Sequence, residues 1–180
     1  STLCCGLALI PSFLVKTPPA MNKEQRQALG PWNKNIVTKE AMPSAFMMLL
    51  YSMSFIIYST FMVPYAAQYG IAGIGSFFTV YAFATLISRP LSGTINDKFG
   101  TKVIFIPCTA LFAGSLLIVG FATSLPVLWV AAVMSAFGWG SIQPALQAMA
   151  MASVPTERGG VASNTNYFGL DLGYFLGPTL

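Results

Sequence analysis

Residues 41–88 read AMPSAFMMLLYSMSFIIYSTFMVPYAAQYGIAGIGSFFTVYAFATLIS, 48 positions between Glu40 and Arg89 without one charged side chain. A helix needs about 20 apolar residues to cross the hydrocarbon core of a bilayer, so the run holds two crossings and a turn. Pro64 and the glycines at 70, 73 and 75 place that turn in its middle, over 66–75. Lys102 and Glu157 bracket a second charge-free run of 54 residues, broken by Thr123-Ser124-Leu125-Pro126. Each run reads as a helical hairpin that returns the chain to the side it left.

The rest of the composition agrees. Hydrophobic residues make up 55% of the 180 positions and charged ones 8%, with a mean hydropathy of +0.68. A soluble domain carries roughly a quarter charged residues, and one made of this chain could not cover its surface. All nine basic residues fall where one alternating topology puts them on a single side: Lys16, Lys23, Arg26, Lys34 and Lys39, then Arg89, Lys98 and Lys102, then Arg158. The positive-inside rule makes that side cytoplasmic, so the sequence predicts a multi-pass cell-membrane protein with loops 16–43, 95–102 and 153–160 in the cytoplasm. The net charge of +4 is divided among short loops and does not read as a nucleic-acid surface.

Metal and redox chemistry find little to work with. Cys4 and Cys5 are adjacent, Cys108 stands alone in an apolar run, and the chain contains no His. That gives no CxxC pair and no even disulfide framework, and it removes the commonest zinc ligand and general base. No metal site and no cofactor is predicted, and the chain is expected not to be an enzyme. An enzyme would bring several ionisable groups to one depth.

The predicted fold is all-α, a polytopic transmembrane bundle of five complete or near-complete membrane helices plus a truncated one. An apolar stretch over 1–15, without an initiator Met or basic leader, reads as the end of a cut helix, and a polar linker follows over 16–43. The helices are expected over 44–63, 76–94, 102–122, 127–152 and 159–180, the last also cut. Pro64, Pro90, Pro107, Pro144 and Pro178 are expected to kink or end helices.

The sharpest motif is Arg89-Pro-Leu-Ser-Gly93-Thr-Ile-Asn-Asp97-Lys98-Phe-Gly100-Thr-Lys102. It resembles the signature loop of the major facilitator superfamily, G-x-x-x-D-R/K-x-G-R/K-R/K, between the second and third helices of each six-helix half. Gly93, Asp97, Lys98, Gly100 and Lys102 match, while Thr101 stands where a basic residue is usual. In physical terms Gly93 would let a neighbouring helix approach, Gly100 would permit the turn, and Asp97 would meet the positive end of a helix dipole. The stretch 127–140 lacks the Arg that opens the fourth helix of a first half, and a basic linker precedes the first complete helix. The chain therefore resembles the end of helix six, the central loop and helices seven to eleven, with 44–180 a C-terminal half-bundle truncated before helix twelve. Glu157 to Ser163, Asp171-Leu-Gly173 and Gly177-Pro178 resemble bacterial drug or sugar efflux members.

That resemblance implies a secondary active transporter working by alternating access, an antiporter coupling efflux of a small solute such as a drug or sugar to protons. Its partners would be the lipid bilayer, the solute, protons and the N-terminal half of the same transporter. A non-transporting solute sensor or an integral membrane enzyme on a similar scaffold is the alternative.

Within this frame two charges fall inside predicted spans. Arg89 is placed about four residues from the end of its helix and Asp171 well into the last one. An unpaired charge at mid-bilayer costs about 2.5–3.5 kcal/mol even on the lenient scale, so Asp171 is expected to face the bundle and pair with Arg89 or another polar group as part of a gate. Ser135, Trp139, Gln143 and Gln147 recur every four residues, and Tyr51, Ser54 and Tyr58 fall at i, i+3 and i+7. These six, Tyr51, Ser54, Tyr58, Trp139, Gln143 and Gln147, are the expected solute-binding residues. The competing reading is that they merely join helices.

Overall fold

The computed structural model describes residues 36–179; within its helices the side chains of Ile57, Asp97, Phe99 and Lys102 lie outside that description. The predicted helix over 1–15 and most of the linker over 16–43 also lie outside it. Five α-helices follow one another: α1 Met42–Gln68, α2 Gly75–Phe99, α3 Thr101–Phe121, α4 Leu125–Ala152 and α5 Gly159–Leu176. Short 3-10 turns precede α1 at Lys39–Ala41, link α4 to α5 at Thr156–Arg158, and follow α5 at Gly177–Thr179. The all-helical expectation is met. Three of the helices, within Lys39–Gln68, Val103–Phe121 and Leu125–Ala152, are long and apolar enough to cross a membrane. The other two are more polar, with Arg89, Asp97 and Lys98 in α2, and Asn164, Asn166 and Asp171 in α5.

Two expected boundaries move. α1 runs through Pro64 to Gln68 instead of stopping at 63. Pro removes one helical N–H, a loss a long apolar helix absorbs when the alternative is bare backbone in hydrocarbon. α2 continues past 94 to Phe99, so the signature stretch is mostly helix and the turn into α3 shrinks to Gly100. The Gly100 N–H still bonds the Asn96 carbonyl at 2.9 Å, and its φ of 82° and ψ of 162° belong to a region open only to glycine. Pro90, Pro107 and Pro144 likewise sit inside helices.

α4 is the spine. It packs against each of the other four helices, and it buries a continuous core from Ala131 to Leu146. Gly138 and Gly140 make this possible. A Cβ on Gly138 would stand 2.7 Å from the Phe112 Cβ, and one on Gly140 would stand 2.9 Å from the Ser88 hydroxyl. Ser88 Oγ donates instead to the Ala136 carbonyl at 3.1 Å, tying α2 to α4. α5 and the turn that follows it rest on α1 through Gly169, Gly173 and Gly177, spaced four apart, where added Cβ atoms would collide with Ala45, Ser52 and Met53. Small residues at this spacing let backbones approach where dispersion, not water exclusion, drives association.

The packed interior comprises Met48, Ile104, Phe112, Trp139, Ile142, Leu146 and Leu170, with a second cluster of Tyr58, Met62, Phe77 and Leu128 toward the uncharged turns. There Tyr65 donates to the Ala122 carbonyl at 3.0 Å and the Trp129 indole to the Ser76 hydroxyl at 2.9 Å, cross-bracing the helix ends. Outside lies a belt of large apolar side chains, with Leu86 71%, Ile106 75% and Phe121 85% exposed. A belt of this kind is a liability in water and ordinary against lipid.

Candidate functional site

The exposed surface is not apolar everywhere. Between α1, α2, α4 and α5 a cleft of about 180 Å³ is lined by Met48, Arg89, Gln143, Pro144, Gln147 and Tyr167. Arg89 Nη2 donates to Gln143 Oε1 at 3.4 Å, which turns the Gln143 amide nitrogen away from the guanidinium. Gln147 is held from behind: its Nε2 bonds Ser163 Oγ, and its Oε1 accepts from Asn166 Nδ2 at 2.8 Å. Asn166 is fully buried, and its Oδ1 has no partner among the described residues.

The six expected solute-binding residues separate into three places. Gln143 and Gln147 share the cleft. Tyr51 and Ser54 line a different, mainly apolar groove of about 390 Å³ between α1 and α3, where the Tyr51 hydroxyl meets Thr109 Oγ1 at 2.5 Å and Ser54 bonds back to the Leu50 carbonyl. Trp139 and Tyr58 are buried. The Trp139 indole stacks on Phe55 at 4.9 Å and 14°, inside the core, and Tyr58 packs on Phe77 at 5.6 Å. The four-residue spacing in α4 therefore bends across two environments: positions 135 and 139 face the core, while 143 and 147 reach the cleft.

Arg89 lies ten residues before the end of α2 rather than about four, roughly 15 Å along the axis, because α2 is longer than the sequence suggested. Its hydrogen bond is to Gln143 and not to Asp171. Asp171 is exposed on α5, one turn beyond Tyr167 and on the same face. Of the signature residues, Lys98 is exposed at the end of α2, Gly100 makes the turn, and the side chains of Asp97 and Lys102 lie outside the described residues. A Cβ on Gly93 would meet nothing within 4 Å among the described residues.

Tyr167 in the cleft lining, and Ser163 and Asn166 behind it, were not anticipated. Ser163, Asn166 and Tyr167 sit at i, i+3 and i+4 on α5, and this polar stripe in an otherwise apolar segment was the signal available.

A family profile described as Major Facilitator Superfamily matches residues 2–180. The chain is similar to two curated proteins of Bacillus subtilis strain 168. One is the uncharacterized MFS-type transporter YcnB, 26% identical over 102 residues, which are 57% of this chain and 22% of the relative. The other is the uncharacterized MFS-type transporter YfiU, 29% identical over 84 residues, 47% of this chain and 16% of the relative. The chain thus spans less than a quarter of the length of either in these matches. No solved structure matches it.

Proposed function

Because the chain belongs to the major facilitator superfamily, a family of membrane transporters rather than enzymes, we infer that it forms part of a secondary active transporter with the cleft on its solute path. One observation carries the reading: Arg89, Gln143, Gln147 and Tyr167 line one cleft, whereas large apolar residues such as Leu86, Ile106 and Phe121 populate the exposed belt. In a multi-pass membrane protein a polar surface of this kind must face water or another polar surface, since lipid offers no hydrogen bonds.

In this reading residues 1–15 end one helix, 16–43 form a central loop, and 44–180 form helices seven to eleven of a C-terminal half. That half rocks against an N-terminal half outside this chain. The charged ends of the helices face the cytoplasm by the distribution of Lys and Arg. Solute efflux in exchange for protons is the direction and coupling that the resemblance of Glu157 to Ser163 and Asp171 to Pro178 to drug and sugar exporters implies. Asp171, the single carboxylate well inside a span and exposed on the face that carries Tyr167, is then the candidate proton carrier and, with Arg89, a candidate gate residue. Tyr51 and Ser54 would contribute through the α1–α3 groove, and Trp139 and Tyr58 only by shaping the walls.

Cysteine accessibility tests the path. In the cysteine-free full-length protein, Gln143→Cys and Tyr167→Cys should react with a membrane-impermeant thiol reagent, and Leu86→Cys and Phe121→Cys should not. Equal labelling of both sets, or labelling of the belt alone, would remove the cleft from the solute path.

A further inference from the structure

The hydrogen-bonding groups that the cleft leaves free are nearly all donors. Arg89 spends one N–H on Gln143, through a long bond to a neutral amide, and keeps the rest of its guanidinium. That same bond consumes the Gln143 carbonyl and leaves its NH2 facing outward. The Gln147 amide is engaged at both ends, with Ser163 and Asn166. Interchanging its oxygen and nitrogen would still leave both atoms facing those two partners, so Gln147 offers the cleft no carbonyl in either orientation. Pro144 has no N–H and deprives the Gly140 carbonyl of its helical donor, but Gly140 is buried and cannot present that oxygen. Met48 contributes an apolar floor, and Tyr167 a hydroxyl that can donate. No carboxylate lines the cleft, and Arg89 is its single charge among the described residues.

A site with one cation, an excess of N–H donors and both of its glutamine carbonyls engaged is complementary to a group that only accepts. Carboxylates and phosphates are such groups, and guanidinium binds both through paired, charge-assisted hydrogen bonds. We propose that the cleft binds a small organic anion, its carboxylate or phosphate held by Arg89 and the Gln143 amide, with Gln147, Ser163 and Asn166 fixing the wall behind. This rests on the cleft being on the solute path, and it adds the charge class of the solute. At about 180 Å³ the cleft suits a single-ring anion better than an extended amphiphile.

The test uses the full-length transporter in phosphatidylcholine nanodiscs, with calorimetric titration of benzoate, phenyl phosphate and the uncharged isostere benzamide. At least one of the two anions should bind about tenfold or more tightly than benzamide. Arg89→Gln should lose about tenfold or more of that anion affinity while leaving benzamide unchanged. Arg89→Lys should keep part of the preference, because it retains the charge and loses the fork. If Arg89→Gln does not fold, Gln143→Leu takes its place and should also weaken the anion selectively. Equal binding of anion and amide, no binding of either anion to the solubility limit, or an anion preference that survives Arg89→Gln overturns the proposal. Repeating the titration in nanodiscs rich in phosphatidylglycerol separates solute from lipid. Unchanged anion affinity supports a solute site, and loss of binding by competition assigns the cleft to a lipid headgroup and overturns it. Cysteine labelling reports on the path independently, so labelled cysteines with no anion preference sink this inference alone.

Discussion

Gly138→Ala adds one methyl group at the tightest point of the α3–α4 contact. Its carbon would lie 2.7 Å from the Phe112 Cβ and 2.9 Å from both the Cα and the N of the same residue. Carbon pairs rest at about 3.5–4.0 Å, so α3 and α4 must separate by roughly 1 Å. The obstruction is backbone and cannot rotate away. Phe112 also anchors Tyr51 and Trp139, with ring centroids 6.1 and 6.3 Å away, so the displacement loosens the aromatic core. Overpacking of this kind costs about 1–3 kcal/mol, against a helix-propensity gain from Gly to Ala of up to about 1. At roughly 2–4 °C per kcal/mol for a domain of this size, the net loss lowers the melting temperature by a few degrees. Gly120→Ala is the control. It lies on the same α3, meets nothing within 4 Å, and collects the propensity gain without the clash, so it should melt slightly higher than the parent. Circular-dichroism melts in one detergent rank the three proteins. Gly138→Ala melting at or above the parent would refute the packing argument, and Gly120→Ala melting as low as Gly138→Ala would show that helical glycines matter here for another reason.

Trp139→Ala should destabilise by about 3–5 kcal/mol in the same melts because the indole is core, whereas Trp139→Phe should keep the stack on Phe55 and most of the stability. Within the signature stretch the two glycines should behave oppositely: Gly100→Ala costs about 1–3 kcal/mol for its forced φ of 82°, and Gly93→Ala is neutral or mildly stabilising. A double-mutant cycle of Gln147→Leu and Asn166→Leu should return a coupling of about 0.6–1.7 kcal/mol, the range of hydrogen bonds between membrane helices. A coupling near zero would mean the amide pair does not form.

The hairpins, their turns and the family were legible because a charge-free run long enough for two spans has few other uses, and because Asp97, Lys98 and Gly100 form a specific motif. Helix ends were less so. Pro64 reads as punctuation, yet a membrane helix keeps its ladder past such a residue because nothing else satisfies the backbone. The site was legible only in part. The i, i+4 rule put Trp139 and Gln143 on one side of α4, but a 3.6-residue turn drifts by about 40° at each such step, enough to carry position 139 into the core and 143 out of it. Nor could periodicity reveal Asn166 as the partner of Gln147, since that depends on how closely α5 seats on α1, which Gly169 and Gly173 decide.

The position of α4 bears on how the chain enters the membrane. Consecutive helices are not each other's best partners here, except for α3 and α4. α2 packs mainly on α4, and α1 mainly on α5, the latest of the five described helices in chain order. During synthesis α1, α2 and α3 therefore reach the bilayer before the surfaces that will bury them exist, and lipid must solvate each of them in the interval. α1 and α3 are apolar on nearly every side, as such a wait demands, and α2 waits with Arg89 uncovered until α4 delivers Gln143. The order of translation thus sets a requirement that the finished bundle conceals: a helix arriving early must be soluble in lipid on faces it will never show to lipid again.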